Sequence, residues 1–167
     1  VDAMTDHHTD RLFDLPEARR CVFPVSRLVV DPERFIQDPM ESVGMGVVYT
    51  HTADGVALRA ISDVDRLSLI DTYYHPHHAA LTRMVDEHLE QHGQCLIIDC
   101  HSFPAQPLPY ENHMNRPDIC IGTDAYHTSA ELKDCLLKVF EASGYHVAID
   151  SPFSGTIVPL KHYHKDK

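Results

Sequence analysis

The run Cys95-Leu96-Ile97-Ile98-Asp99-Cys100-His101-Ser102-Phe103 ends a short apolar stretch in an acid, a thiol, an imidazole and a hydroxyl. A buried parallel strand delivers chemistry in this way, because ligands in open α/β folds bind just outside the carboxyl ends of the strands. The pattern predicts a strand over 95–99, with Asp99 and His101 on one face and Cys100 on the other. An imidazole oriented by a carboxylate is a metal ligand or a general base. A histidine bonded to a backbone carbonyl at a strand end is the simpler alternative.

A second cluster, Thr5-Asp6-His7-His8-Thr9-Asp10, crowds imidazoles and carboxylates at the start of a helical pattern. On a helix, His7 and Asp10 would share a face and could chelate one cation, while Asp6 is either a ligand itself or the helix cap. With His101 far downstream, this is the two-part pattern that a mononuclear hydrolytic zinc site requires. Arg27 and Arg34 bracket the run ending in Asp31 and Glu33. Their guanidinium forks suit a substrate carboxylate, and ion pairs with Asp31 or Glu33 are the competing use. Tyr73-Tyr74-His75-Pro76-His77-His78 sets histidines around a proline, where exposed helix-surface positions are the expected reading. Arg116 to Thr128 reads as a strand leaving into a polar loop, with Gly122 where backbone could approach a ligand.

These residues must be carried by a chain of 167 residues, enough for one domain with a core. A net charge of -11 argues against nucleic acid as a partner. A small molecule is favoured. No run approaches a membrane span, and the polar start lacks the regions of a signal peptide, so a cytoplasmic protein is expected. The cysteines at 21, 95, 100, 120 and 135 form no C-x-x-C pair, which suits reduced thiols.

Expected elements are a helix over 6–15 ending at Pro16, and short strands over 21–25 and 27–31. A strand over 46–50 should enter a turn at Asp54-Gly55. The helical pattern from Ser62 to Gly93 should kink or divide at Pro76. After the strand at 95–99 come a Pro-rich loop over 104–109, a strand near 119–121, a helix over 129–143 ended by Gly144 and a strand near 145–149. The alternation predicts an α/β fold with a parallel or mixed sheet covered by helices.

The segments SRLVVDPERF (26–35), GMGVVYT (44–50), YYHPHH (73–78), LIIDCHSFP (96–104), RPDICIGTDAYHT (116–128) and PFSGTIVPLKHY (152–163) together resemble the N-formylglutamate amidohydrolase family, across nearly the whole chain. The resemblance implies a three-layer helix-sheet-helix fold with a mostly parallel mixed sheet, similar to zinc carboxypeptidases. It implies a zinc-dependent hydrolase that cleaves N-formyl-L-glutamate, or a related N-acyl amino acid, to formate and glutamate in histidine breakdown. Carried onto this chain, His101 would be a zinc ligand, Asp6 or the His7/Asp10 pair the early contribution, and Arg27 and Arg34 the clamp on substrate carboxylates. Zn2+ would polarise the formyl carbonyl and acidify its bound water. The family pattern also includes an upstream strand with a Pro-His motif and a downstream strand carrying a general-base glutamate. The expectation is therefore a single domain over 1–167 that lacks both, with the glutamate beyond Lys167.

Two rivals stand beside this reading. A nucleophilic enzyme would pair Cys100 or Ser102 with His101, although neighbouring strand residues point apart and no G-x-S-x-G elbow is present. A catalytically degenerate member would keep the arginine clamp and bind a small carboxylate without turnover.

Overall fold

The computed structural model describes residues 4–107 and 116–165. The chain divides into two compact units, Val1–Pro104 and Ala105–Lys167.

In the first unit, α1 spans only Thr9–Leu12. The predicted helix over 6–15 fails to extend upstream because His8 sits in the left-handed region at φ 65. Nothing on α1 is buried, so no packed face sustains a longer helix. The expected strands over 21–25, 27–31 and 46–50 are also absent. Pro24 offers no amide to a ladder. Ser26 winds the next segment into a turn, its carbonyl accepting from the amides of Val29 (2.8 Å) and Val30 (3.3 Å). Gly44, at φ 75 after the 3-10 turn Pro39–Val43, accepts at its carbonyl from both Thr50 and His51, so the chain coils back instead of running straight. The turn at Asp54-Gly55 does form. It is flanked by a single antiparallel bridge between His51 and Ala57.

The helical pattern is closed by the signals read from it. Ser62 Oγ accepts from the Asp65 amide at the start of α2 (Asp63–Leu69), and Gly93 at φ 72 ends α3 (His75–His92). Between them lies a π-helical turn, Ile70–Tyr74, in which the His75 amide reaches the Ile70 carbonyl. The pattern thus divides as expected, the wider turn ending just before His75 and Pro76, which has no amide to donate and stands in the first turn of α3. Ile70 and Tyr74 from this turn join Val30, Val47 and Val48 in the core, packed by Phe23, Val29, Ile61, Leu69 and Tyr73. Leu28, Met45 and Tyr49 form a second cluster with Met4, Met40 and Ala53. Burial of these side chains, at about 1.5–3 kcal/mol each, stabilises a unit that has little regular ladder.

The segment 95–99 is not a strand among the described residues, contrary to the sequence expectation. A strand exists only through its hydrogen-bonded neighbour, and here Leu96 and Ile98 are each 60% exposed.

The second unit matches its local signals closely. α4 spans Ala130–Ala142, capped by Ser129 Oγ accepting from the Leu132 amide, and Gly144 follows at φ 87. Strands β1 (Ile119–Ile121) and β2 (Val147–Ile149) pair in parallel, with Ile119 opposite Val147 and Ile121 opposite Ile149. The protein is thus α/β with a small parallel sheet. A Cβ on Gly122 would stand 2.9 Å from the Gly155 carbonyl oxygen, so the backbone crossing after β1 requires glycine. Among the described residues no helix is long and apolar enough to cross a membrane.

Candidate active site

Three segments of the first unit bring carboxylates around one imidazole. The turn before α1 supplies Asp6, the Asp31-Pro32-Glu33 turn supplies Glu33, and the extended run after Ile98 supplies Asp99 and His101. Asp31 builds its turn by accepting the Glu33 amide at Oδ1, 3.1 Å away. His101 Nδ1 lies 3.4 Å from Asp6 Oδ1, and its Nε2 lies 3.4 Å from Glu33 Oε1 and 3.2 Å from Asp99 Oδ2. The expected common face for Asp99 and His101 is therefore realised even without a ladder. Asp6 Oδ1 also accepts the Ser102 amide at 3.0 Å.

Arg27 joins this group, its Nη2 donating to Glu33 Oε1 at 2.9 Å and lying 3.6 Å from Asp6 Oδ2. Arg34 is placed differently, with Nε 3.9 Å from Asp31 Oδ2 and its carbonyl accepting the Tyr74 hydroxyl. His7 and Asp10 are exposed, and His7 precedes the first helical residue, so the helical chelate expected of them is not formed. His7 and His8 instead line an open pocket of about 300 Å3 with Thr5, Ser102 and Phe103.

The electrostatics follow from this geometry. Hydrogen bonding to Asp6 and then Asp99 outweighs burial and pushes His101 up to about 11, so at neutral pH it is an imidazolium. Burial alone would raise Asp6, but His101, the Ser102 amide and Arg27 together hold it below the ordinary carboxylate range. For Glu33 burial prevails over His101 and Arg27, and its carboxyl is pushed up. Carboxylates that enclose a proton on both ring nitrogens also form an electrostatic well for a cation, which would enter in place of that proton.

The nucleophile reading finds no support in the thiol. Burial and the neighbouring Asp99 raise Cys100, the reverse of what an activated cysteine needs. His77 and His78 are partly buried packing residues, not the exposed surface histidines expected. His78 Nε2 meets the Pro32 carbonyl at 2.8 Å and its ring lies 4.2 Å from that of Tyr74, while His77 meets Phe23 edge-on.

Sequence reading missed Glu33 as a partner of His101, although the Asp-Pro-Glu turn marks it. It also missed Tyr49, whose hydroxyl donates to the buried Asp31 Oδ2 at 3.1 Å. Arg59 was missed as well, and it ties three carbonyls together, those of Leu28 (2.7 Å), Val29 (2.9 Å) and Tyr49 (2.9 Å). In the second unit, Asp124, His127 and His164 converge, the first two at the D-x-x-H spacing within the 116–128 loop.

The sequence model of a family described as N-formylglutamate amidohydrolase matches residues 1–167. A crystal structure of N-formylglutamate amidohydrolase from Ralstonia eutropha JMP134 is similar to this chain, with a TM-score of 0.68 and 23% identity. The similarity covers 78% of this chain and 55% of that one, so the chain spans about half the length of its structural neighbour. At that identity the likeness shows a shared fold. Among curated proteins no relative matches.

Proposed function

The chain belongs to the N-formylglutamate amidohydrolase family, and from that premise we propose a zinc-dependent amidohydrolase that cleaves N-formyl-L-glutamate, or a related N-acyl amino acid, to formate and the free amino acid. The observation that carries this reading is the meeting of Asp6 and His101 at 3.4 Å, from opposite ends of the first unit, inside a ring of carboxylates. The reading includes a three-layer arrangement of the zinc-carboxypeptidase kind, a place in histidine breakdown and a cytoplasmic setting. The free cysteines fit a reducing compartment.

The donor chemistry fits zinc, which takes imidazole nitrogen and carboxylate oxygen. Asp6 and His101 would hold the ion, with His7 or Asp10 as the further early donor. When bound, zinc polarises a carbonyl and lowers the pKa of water. The chain's own residues set the surroundings. The Ser102 amide fixes the orientation of Asp6, and Asp99 orients His101 through the ring nitrogen opposite Asp6. Arg27 and Arg34 supply guanidinium groups for substrate carboxylates. Each then exchanges a carboxylate of the protein for one of the substrate, since Arg27 holds Glu33 and Arg34 faces Asp31.

That occupancy of the arginines favours a second reading, a family member that binds a carboxylate ligand without turnover. Elemental mass spectrometry separates metal binding from its absence: His101→Ala should lower the zinc content by about one equivalent per chain. Unchanged stoichiometry in His101→Ala would sink the site. Release of formate from N-formylglutamate by the zinc-loaded protein supports the hydrolase, and zinc binding without release supports the binding member.

A further inference from the structure

We propose that Asp124, His127 and His164 form a divalent-metal site within the unit Ala105–Lys167, selective for a zinc-like first-row ion. The donor atoms of these residues lie within 4.8 Å of one another. Two donors on one tetrahedral zinc stand about 3.4 Å apart, given bonds of roughly 2.1 Å, so the side chains close on the ion by about 1.4 Å at most. Two imidazoles and one carboxylate match zinc, cobalt or nickel, whereas magnesium and calcium prefer oxygen donors alone.

The carboxylate is already aimed. Asp124 Oδ1 accepts the amides of Tyr126 and His127, each at 2.9 Å, and the Asp124 amide donates to Thr128 Oγ1 at 3.0 Å. These bonds fix the side chain and leave Oδ2 facing His164 Nε2 at 3.7 Å. His164 arrives from a different segment, the turn after Pro159, with a backbone φ of 55. Few non-glycine residues adopt that conformation. Its ring stacks on Tyr163 at 4.1 Å and packs against Tyr126 at 5.1 Å, which holds the imidazole edge toward the carboxylate.

The His164 amide donates to His127 Nε2 at 2.9 Å. That bond identifies Nε2 as the unprotonated nitrogen, the one able to coordinate, and the ion takes the place of the amide hydrogen. Binding thus exchanges one backbone hydrogen bond for a coordinate bond and ties the 124–128 loop to the 159–165 turn. His164 is half exposed, so an ion can enter from solvent.

The test uses the intact chain titrated with Co2+ and read by visible absorption, alongside Asp124→Asn and His164→Gln. Asp124→Asn keeps the acceptor for the two loop amides and replaces the oxygen facing His164 with an uncharged NH2 group that cannot bind a metal. The expected result is a cobalt band that each substitution diminishes by one equivalent, with affinity weakened more than about tenfold. The band persists in a His101→Ala background, which separates this site from the one proposed for hydrolysis. Zinc should also raise the melting temperature of the wild type more than that of Asp124→Asn. If His164→Gln fails to fold, Asp124→Asn alone decides. The proposal is overturned if Asp124→Asn binds cobalt with wild-type stoichiometry and spectrum, or if the wild type gives only the weak spectrum of hydrated cobalt.

Discussion

The amide of Ser102 donates to Oδ1 of Asp6 across 96 positions of sequence, and the same oxygen faces the ring of His101. One carboxylate therefore anchors the end of the 95–102 run and orients its imidazole. Asp6→Ala should lower the unfolding free energy by about 1–2 kcal/mol, because the Ser102 amide loses its acceptor and Arg27 and His101 lose a neighbouring negative charge. Asp6→Asn keeps an oxygen for Ser102 and should cost less than half as much. Urea denaturation of both variants checks the order, and equal losses would show that the amide contact contributes nothing.

Arg59 acts as a staple. It bonds the carbonyls of Leu28 and Val29 to that of Tyr49, segments that share no ladder. Arg59→Ala should destabilise the protein by about 2–3 kcal/mol, in line with charged donors leaving carbonyls unsatisfied. Arg59→Lys should recover only part of this, since an ammonium lacks the planar fork. Thermal melts of the pair give the comparison.

Tyr49 gives an alkaline signature. Burial first, and then the negative Asp31, raise its phenol from 10.0 to about 12. The folded state holds this proton more tightly than the unfolded one, so the associated stability is complete below about pH 10 and is lost as pH rises toward 12. Tyr49→Phe should cost about 1–2 kcal/mol at neutral pH and flatten the decline between pH 10 and 12. Denaturant midpoints taken across that interval test both parts.

On the acid side, burial lowers His78 below its ordinary value of 6.5, despite the opposing bond to the Pro32 carbonyl. The unfolded chain then binds the proton more readily. Stability is present above about pH 6.5 and falls as pH drops below it. His77 is lowered chiefly by burial as well and adds to the same slope. His78→Gln can still donate to Pro32, and it should make the midpoint less dependent on pH between 5 and 6.5.

Local signals carried much of the fold. Ser62, Gly93, Ser129 and Gly144 delimit helices through bonds made within a few residues, and the apolar runs at 119–121 and 147–149 do pair. The runs at 27–31 and 46–50 have the same β-like composition, yet the carbonyls of Ser26 and Gly44 draw the following amides into turns. Composition alone does not reveal that competition. At the site, the residue types Asp6, Arg27, Asp99 and His101 were legible, and the structure gathers them. The shared helical face of His7 and Asp10 was lost to the backbone of His8. That His101 is bracketed on both nitrogens is a tertiary fact, set by where Glu33 and Asp6 arrive.

The π-helical turn Ile70–Tyr74 holds one residue more than an α-turn of equal rise and acts as an expansion joint that absorbs it. Deleting one residue from this turn would leave a regular α-helix of almost the same length, with α3 at nearly the same azimuth. His78 would stay at Pro32, and Leu81 and Val85 would stay in the core. A deletion inside α3 has no such slack and would swing every later residue by about 100°. The segment 70–74 is therefore the place in this helical run that tolerates the loss of a residue, although nothing in its composition marks it so.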